Sequence, residues 1–337
     1  MTQVAPQRDA RRIVIAGASS LLGTELGALL GESRFAGGDL RLVDEPVAAG
    51  TLTAAAGEPV VIQAVEEGSF ERAGYIFFTG TRKFFQANAE AAMRTGAKII
   101  DLSGALVERN AAVPWFPKLD WLRSREFAKD ERAFAIPSAL ATAAAALALG
   151  LSRAGLRRIM VTGFQPVSEA GAAGIEELES QTGQLLSFQG VGQPVFDTQV
   201  AFNMVDRFGP GSTHTLNEIR ERVRRETQAC VEGKCAMPAI QVLHAPVFYG
   251  MAFSATGVFD PGTGAEQIVK ACEDAGLVIS GEGDTGASNV GVAGEKEIRL
   301  SQPRQDAANL ETWWFWGAAD NMRVPAASAV KLAEMLY

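Results

Sequence analysis

The sequence predicts an α/β domain with a doubly wound parallel sheet, followed by an α+β domain. The first observation is a β-branched run at residues 12–16 that meets a turn at Gly17 and continues with helical spacing over residues 21–30. The second is that strand-like and helical segments alternate up to about residue 101. The third is that longer strand-like runs with fewer helices follow from about residue 150.

The elements of the first part alternate as a parallel sheet requires. We predict strands at residues 12–16, 39–44, 60–65, 75–78 and 98–101, and helices at residues 21–30 and 84–95. Gly96 stands where a helix commonly ends.

The second part mixes strands and helices without strict alternation, which favours an α+β domain. We predict helices at residues 138–150, 174–186, 216–231, 264–275 and 326–336, and strands at residues 159–167, 240–247, 252–258 and 298–301.

The charge balance excludes several classes of partner. The formal net charge is -8, and an acidic surface disfavours nucleic acid and anionic membranes. The arginine-rich run at residues 220–225 is interleaved with glutamate and is interpreted as a solvated helix face.

Cysteine usage indicates a reducing compartment. Cys230, Cys235 and Cys272 are too few for a disulfide framework, and no second Cys or His pair accompanies them, so we expect no metal site. Residues 1–12 lack an apolar signal segment, and the apolar stretch at residues 135–151 is too short to span a membrane. We therefore expect a cytoplasmic protein.

A glycine turn after the first strand is a candidate nucleotide-binding turn. Its residues are Gly17, Ala18, Ser19, Leu21, Leu22 and Gly23. Glycine there lets the backbone approach a pyrophosphate at a helix N-terminus. Ser20 occupies the middle glycine position, where a Cβ resists positive φ. The alternative, which the motif supports equally well, is an ordinary strand–helix turn that binds no nucleotide.

Two acidic residues after the second predicted strand bear on cofactor choice. Asp44 or Glu45 can accept hydrogen bonds from a ribose 2′-hydroxyl and would repel a 2′-phosphate, which favours NAD over NADP. The alternative is that both are solvent-facing acids at a strand end.

Several segments in order resemble the aspartate-semialdehyde dehydrogenases. The matching segments are G-A-S-S-L-L-G-T-E at 17–25, K-I-I-D-L-S at 98–103, I-P-S-A-L-A at 136–141, F-Q-P-V-S-E-A-G at 164–171, Q-V-A-F-N at 199–203, H-A-P-V-F-Y-G-M at 244–251 and A-D-N-M-R at 319–323. They run from about residue 12 to residue 323.

The resemblance implies a Rossmann-like nucleotide-binding domain at residues 1–135 and 318–337, and an α+β dimerisation domain at residues 136–317. It implies a homodimer formed through a large sheet, with NAD or NADP as cofactor and Asn321 at the cofactor site. Family members reduce an acyl phosphate to an aldehyde through a thioester on cysteine.

The sequence departs from the family at the residues that carry this chemistry. The nucleophile position holds Ala139 and the base position holds Met251. A methyl group cannot attack a carbonyl, and methionine cannot transfer a proton. Neighbouring Ser138 has a hydroxyl, which we interpret as a helix N-cap. Gln165 is retained but only orients a substrate.

The substrate-binding positions also depart from the family. His244 replaces the arginine that grips a substrate carboxylate, and an imidazole lacks the bidentate fork. The phosphate-binding arginine position holds Val107, and Arg109 is the nearest substitute, although a surface role is the stronger interpretation. Ser103, the serine of the I-D-x-S segment, is a further candidate substrate-binding residue. Glu169 replaces a glycine, and its carboxylate would repel phosphate.

These losses together resemble the non-catalytic Usg-like paralogues of the family. The sequence therefore predicts an inactive homologue with a structural or ligand-sensing role. One alternative is an active NAD(P)-dependent dehydrogenase with altered chemistry. Another is an interaction module using the aromatic run Trp313, Trp314, Phe315 and Trp316, although alternating aromatic residues in a strand favour core or dimer interface. His214, in a Gly- and Pro-rich loop, is expected to be exposed.

Overall fold

The computed structural model describes residues 9–55, 57–128, 130–281 and 283–337, without the side chains of residues 9–11. The expected absence of a signal segment falls largely on residues 1–8, outside this description. The chain divides into two compact units. Unit 1 holds the described parts of Met1–Pro117 and Glu126–Pro137 with Pro325–Tyr337, and unit 2 holds Lys118–Arg125 with the described part of Ser138–Val324. Residues 118–125 and 318–324, assigned to the first domain from sequence, thus lie in unit 2.

Among the described residues, a seven-stranded parallel sheet forms the centre of unit 1. The strands of unit 1 are β1 (Asp9–Ala16), β2 (Leu40–Asp44), β3 (Leu52–Ala55), β4 (Glu58–Val61), β5 (Gln63–Ala64), β6 (Ala73–Phe78), β7 (Lys98–Asp101), β8 (Val113–Pro114) and β9 (Ala133–Ala135). Its helices are α1 (Leu21–Gly31), α2 (Arg82–Arg94), the short α3 (Ala105–Glu108) and most of α9 (Arg323–Leu336). The sheet order is β5-β2-β1-β6-β7-β9-β8.

The prediction of one continuous strand at residues 60–65 is wrong. Its first half belongs to β4, which pairs antiparallel with β3 in a small separate hairpin. Its second half contains β5, which pairs parallel with β2 in the main sheet. One continuous apolar run therefore serves two sheets, and periodicity alone cannot locate the break.

The core of unit 1 is shared by the sheet and helices α1 and α9. Ile15 and Phe77 from the sheet are fully buried with Leu26 from α1 and with Leu332 from α9. The side chain of Tyr75 is also buried in this core, which raises its pKa to about 12. The apolar faces of the two helices thus complete the core of unit 1.

Unit 2 is built on a mixed sheet of order β11-β10-β12-β16-β14-β13, with β15 paired to β16. Its strands are β10 (Leu156–Gln165), β11 (Ala239–His244), β12 (Met251–Phe259), β13 (Val278–Ile279), β14 (Arg299–Leu300), β15 (Arg304–Gln305) and β16 (Thr312–Ala319). Its helices are α4 (Leu119–Arg123), α5 (Ala139–Ser152), α6 (Gly171–Leu186), α7 (Leu216–Val231) and α8 (Ala265–Asp274).

Helix α5 lies at the centre of unit 2 and fixes the position of residue 139. It packs against α7, α8 and β10, and its residues 139–151 are all buried. Small residues allow this close packing, because a Cβ on Gly163 of β10 would lie 2.3 Å from the Leu140 Cδ2. In the described ranges, no helix is long and apolar enough to cross a bilayer.

One face of the unit 2 sheet is open. Strand β16 alternates, so that Trp313 and Phe315 are 5% and 1% exposed whereas Trp314 and Trp316 are 46% and 42% exposed. The strand register extends this face across β12 to Met160 of β10, which is 57% exposed. The four aromatic residues thus divide between the core and the outer face of the sheet.

Candidate active site and nucleotide turn

The turn after β1 requires glycine at two positions. Gly17 has φ +93°, and a Cβ there would lie 2.2 Å from the Gly80 backbone nitrogen. A Cβ on Gly23 would lie 2.7 Å from the Gly17 carbonyl oxygen. Close backbone packing between β1, α1 and the end of β6 therefore sets these two glycines, whether or not a nucleotide binds.

The objection to serine at position 20 is wrong. Ser20 has φ -68°, so this position does not need the conformation that a Cβ resists. Its hydroxyl accepts a hydrogen bond from the Gly23 N–H at 3.0 Å and caps α1. The same oxygen lies 2.8 Å from the Gly17 carbonyl oxygen, which accepts its proton. Ser20 therefore stabilises the turn.

The two acidic residues after β2 differ in their surroundings. The Asp44 carboxylate, 7% exposed, accepts hydrogen bonds from the Ser19 N–H at 2.7 Å and the Glu45 N–H at 2.8 Å. The Glu45 side chain is exposed. Asp44 thus lies against the glycine turn, whereas Glu45 extends from it.

The other backbone N–H groups of the turn differ in whether they donate a hydrogen bond within the protein. The Ala18 N–H donates to the Val43 carbonyl oxygen at 3.3 Å, and the Ala18 side chain is buried. The N–H groups of Leu21 and Leu22, at the start of α1, have no hydrogen-bond partner among the described residues. These two amides are the donors that a phosphate could engage.

Ala139 is the first residue of α5, and the residue before it is held by a carboxylate. The Ser138 hydroxyl donates to Glu226 Oε2 at 2.6 Å, and the Ser138 N–H donates to the same oxygen at 2.8 Å. Ser138 is the N-cap position, but its side chain accepts no hydrogen bond from the helix. The prediction that Ser138 is the N-cap residue of α5 is therefore confirmed, although its hydroxyl donates to Glu226 and accepts nothing from the helix.

Glu226 and Arg222 are site residues that sequence reasoning missed. Glu226 is 1% exposed and pairs with the Arg222 Nε at 2.7 Å through Oε1. The interpretation of residues 220–225 as a solvated face is therefore wrong for Arg222. The Arg–Glu spacing of four residues was the available signal, but it does not reveal that the carboxylate is buried.

A second carboxylate, Glu169, lies near this pair. Burial raises the pKa of Glu169, and Glu226 adds to this, whereas Arg222 and a hydrogen bond from Asn321 oppose it. The Asn321 Nδ2 donates to Glu169 Oε1 at 3.0 Å. The Asn321 Oδ1 accepts from the Gly250 N–H at 3.0 Å. The amide of Asn321, predicted at the cofactor site, is thus engaged within unit 2.

The two positions that replace the family's reacting groups lie at the ends of this network. Ala139 follows Ser138, and Met251 follows Gly250 at the start of β12. The side chain of Met251 is 1% exposed and that of Ala139 is 2% exposed. Ala139 has no nucleophilic atom, and the thioether of Met251 cannot take up and release a proton as a general base does.

His244 ends β11 as a buried residue. Its Nε2 lies 3.3 Å from the Val200 carbonyl oxygen, and its ring centroid lies 5.6 Å from that of Phe208. Burial lowers the pKa of His244 and also that of His214. The expectation that His214 is exposed is wrong, because it is half-buried and lines a cavity with His244.

That cavity also contains the retained glutamine. Gln165, 4% exposed at the end of β10, lines it together with Glu169. The Gln165 Oε1 is buried and has no hydrogen-bond partner among the described residues. An unpaired buried acceptor costs free energy, which identifies this atom as a place where a ligand can donate.

Three further predicted residues lie in unit 1. The Ser103 hydroxyl donates to Asp101 Oδ1 at 2.5 Å and is buried. Val107 is buried in α3. Arg109 is exposed and borders a shallow surface depression with Glu90 and Arg94 of α2. The surface position of Arg109 agrees with the interpretation favoured for it.

The cysteines are free thiols. Cys230 in α7 and Cys272 in α8 are buried, and Cys235 follows α7. Burial raises the pKa of all three, to about 11 for Cys235 and to about 12 for Cys272. Within the described ranges, no group of three His, Cys, Asp or Glu side chains is arranged to hold a metal ion.

The combination of a parallel Rossmann-like sheet with a separate mixed-sheet unit defines a class of two-domain dehydrogenases. The model of the semialdehyde dehydrogenase dimerisation domain matches residues 149–324. The chain belongs to the semialdehyde dehydrogenase family.

Relatives match along nearly the whole chain. A USG-1 protein homologue from Pseudomonas aeruginosa is 28% identical, with 96% of this chain and 97% of the relative covered. Aspartate-semialdehyde dehydrogenase 2 from Vibrio cholerae is 26% identical with the same coverage. The structure of a probable aspartate-semialdehyde dehydrogenase from Pseudomonas aeruginosa has a TM-score of 0.85 at 28% identity, covering 96% of this chain and 98% of that one.

One solved structure in this group contains a nicotinamide cofactor. The aspartate-semialdehyde dehydrogenase from Candida albicans, solved with NADP, has a TM-score of 0.65 at 12% identity, covering 96% of this chain and 97% of that one. At this identity the likeness concerns the fold.

Proposed function

We propose that this chain is a catalytically inactive homologue of aspartate-semialdehyde dehydrogenase that keeps its pocket for ligand recognition. The observation that carries the proposal is the start of α5, where Ala139 stands at the nucleophile position. Its neighbour Ser138 donates its hydroxyl proton to Glu226. Glu226 is also paired with Arg222, so the carboxylate next to this hydroxyl is already engaged by a guanidinium.

The properties of the three cysteine thiols also support the proposal that the protein is catalytically inactive. A reactive cysteine needs a lowered pKa and access to substrate. Burial instead raises the pKa of Cys230, Cys235 and Cys272. The imidazole of His244 is buried against aromatic rings rather than beside a thiol.

The pocket has also lost the means to hold an anionic substrate. His244 stands at the carboxylate-gripping position, and burial lowers its pKa, which favours the neutral ring. Glu169 adds a carboxyl to the same cavity. An acyl phosphate would find no charge-assisted hydrogen bond from His244 there. The pocket is therefore suited to a different ligand.

A nicotinamide dinucleotide remains the cofactor that the turn supports. The unpaired amides of Leu21 and Leu22 at the start of α1 can engage a pyrophosphate. Asp44 lies beside Ser19 of the turn, and its carboxylate retains lone pairs for a ribose hydroxyl. NAD is preferred because a 2′-phosphate would approach this carboxylate.

Homodimer formation through the open face of the unit 2 sheet belongs to the same proposal. The face carries Trp314, Trp316 and Met160, and the matching family model is a dimerisation domain. Large exposed aromatic side chains on a flat sheet face are typical of buried interfaces.

The experiment is a turnover assay with aspartate semialdehyde, phosphate and either NAD or NADP, following nicotinamide reduction. We expect no turnover by the wild-type protein. The Ala139→Cys/Met251→His double variant restores both missing groups, and any turnover it gains indicates that the pocket geometry survives. The two single variants serve as matched controls.

Turnover by the wild-type protein would refute the proposal. A Ser138→Ala variant would then show whether that hydroxyl is the replacement nucleophile. Loss of the rate in this variant would identify Ser138, whereas an unchanged rate would direct the search to other residues.

A further inference from the structure

A groove on the surface of unit 2 lies between the end of α5, helix α8 and the short helix α4. Its floor is made of the small residues Gly150, Ala154 and Ala271. The two long helices approach closely there, because a Cβ on Gly150 would lie 2.7 Å from the Ala271 carbonyl oxygen. The volume of the groove is about 160 Å³, and a cavity of roughly 150 Å³ accommodates a benzene ring.

An indole and a guanidinium form one wall of the groove. The Trp121 side chain is 49% exposed, and the Arg153 Cζ lies 4.0 Å from the centroid of its ring. The Arg153 Nη2 donates to the carbonyl oxygen of Trp121 at 3.0 Å and to that of Leu122 at 2.8 Å. Because both the ring and the two carbonyl oxygens hold it, the guanidinium has a fixed orientation before a ligand binds.

Hydrogen-bond donors remain free around the groove. The Arg153 Nε and Nη1 and the side-chain amide of Gln267 donate to no group in the described part of the chain. The Lys270 ammonium on α8 pairs with the Asp274 carboxylate at 2.9 Å. The charge of Arg153 is therefore the uncompensated one, and a guanidinium N–H forms a charge-assisted hydrogen bond with a carboxylate.

The groove is separate from the pocket at the start of α5 and from the open sheet face. Arg153 follows Ala139 by fourteen residues of helix, which corresponds to roughly 20 Å at about 1.5 Å per residue. Met160 faces the open side of the sheet, whereas Gly163, three residues later in β10, faces Leu140 of α5 on the other side. A homodimer formed through the open face therefore leaves the groove accessible.

We propose that this groove binds a small aromatic carboxylate, with its ring on the small-residue floor beside Trp121 and its carboxylate on Arg153 and Gln267. A ring without a charge would gain nothing from the guanidinium. A carboxylate without a ring would leave the floor and the indole in contact with water. An apolar lining with a few placed polar groups is the usual composition of a small-molecule site. This site is additional to the proposed function and does not depend on it.

The test is a saturation-transfer difference NMR titration of the full-length protein with sodium benzoate, near neutral pH and at constant ionic strength. Sodium acetate and benzyl alcohol are the matched probes, because they carry the carboxylate or the ring alone. We expect saturable binding of benzoate, and it is weak because few atoms contact the protein. We expect acetate and benzyl alcohol to bind at least about tenfold more weakly.

The decisive variant is Arg153→Gln, which removes the charge of the wall. We expect its affinity for benzoate to fall by at least about tenfold, which corresponds to 1.4 kcal/mol. Because Arg153 also holds α4, a second variant, Trp121→Leu, keeps the guanidinium and removes the indole, and we expect a measurable loss there too. Arg94→Gln, which changes a 63% exposed side chain on α2, is the matched control and should keep the wild-type affinity.

Four results would overturn the assignment of this site. These are no saturable binding of benzoate by the wild-type protein, binding of benzyl alcohol as tight as that of benzoate, wild-type affinity in Arg153→Gln or Trp121→Leu, and equal losses in Arg153→Gln and Arg94→Gln. The last result would trace the effect to net charge and not to the groove.

Discussion

The Glu226 Oε2 accepts hydrogen bonds from both the hydroxyl and the backbone N–H of Ser138, 88 residues earlier in the chain. This contact joins the start of α5 to the middle of α7. It fixes the backbone immediately before Ala139, where a catalytic member of the family would place its nucleophile. The backbone at the nucleophile position is thus held in place although the reacting side chain is missing.

We predict that Glu226→Ala destabilises the protein by about 3 kcal/mol, since hydrogen bonds to a charged group contribute about 1.5–3 kcal/mol and the donors of Ser138 and Arg222 lose their acceptor. Urea denaturation measures the change in the free energy of unfolding. Glu218→Ala, at an exposed position of the same helix, is the matched control and is expected to cost less than about 0.5 kcal/mol. Equal effects in the two variants would contradict the role given to Glu226.

We predict that the wild-type protein binds NAD more tightly than NADP. We expect Asp44→Asn to reduce the ratio of the dissociation constants for NADP and NAD by at least about tenfold. The reason is that the variant removes the negative charge beside Ser19 that repels a 2′-phosphate. Fluorescence titration with the two cofactors gives the ratio. Glu45→Gln changes the neighbouring carboxylate, whose side chain is exposed, and should leave the ratio near its wild-type value. An unchanged ratio in Asp44→Asn would assign the preference to other residues.

We predict that Glu169→Gln gains stability relative to wild type as pH rises. Burial raises the pKa of Glu169 above its ordinary value of 4.5. Between that value and the raised one, the unfolded chain has lost the proton while the folded chain keeps it, so wild-type stability falls with increasing pH. The variant lacks this contribution, so the difference in unfolding free energy should widen from about pH 4.5 upward.

Urea denaturation of both proteins from pH 4 to pH 8 measures this difference. Glu226, Arg222, His214 and His244 lie around Glu169 and are present in both proteins, so the comparison isolates the change at position 169. Glu179→Gln provides the matched exposed control, and its difference from wild type should stay flat. A difference that shrinks with pH in Glu169→Gln would contradict the burial of that carboxyl.

We predict that Met160→Lys weakens the homodimer by at least about tenfold. Met160 is 57% exposed on the open sheet face, and a charge there would be buried in the interface without a partner. Sedimentation equilibrium measures the dissociation constant. Met335→Lys is the matched control, because Met335 is also 57% exposed but lies on α9 in unit 1. If both variants dimerise like wild type, the interface lies elsewhere.

The fold follows from local patterns that the sequence displays. The run at 12–16 with Gly17 predicts β1 and its turn, and the Ala-rich stretch predicts α5, because side-chain periodicity and turn residues are local properties. Ser20 was misjudged because its backbone angles depend on how Thr79 and Gly17 pack around it. Those contacts are not local.

The candidate site was only partly predictable. The substitutions at Ala139 and Met251 are visible in the sequence, because matching segments identify their positions. The roles of Glu226 and Arg222 are not visible, because an Arg–Glu pair on a polar helix has the same pattern whether it faces solvent or α5. Burial of a charge is decided by tertiary packing, which no local pattern records.

The core of unit 1 has a consequence for synthesis of the protein on the ribosome. Leu332 and its neighbours on α9 fill that core, yet residues 138–324 of unit 2 separate them from β9 in the chain. The face of the parallel sheet that α9 covers therefore stays uncovered until unit 2 and α9 have been synthesised. During that interval the nascent chain depends on chaperones or on rapid folding of unit 2 to avoid aggregation.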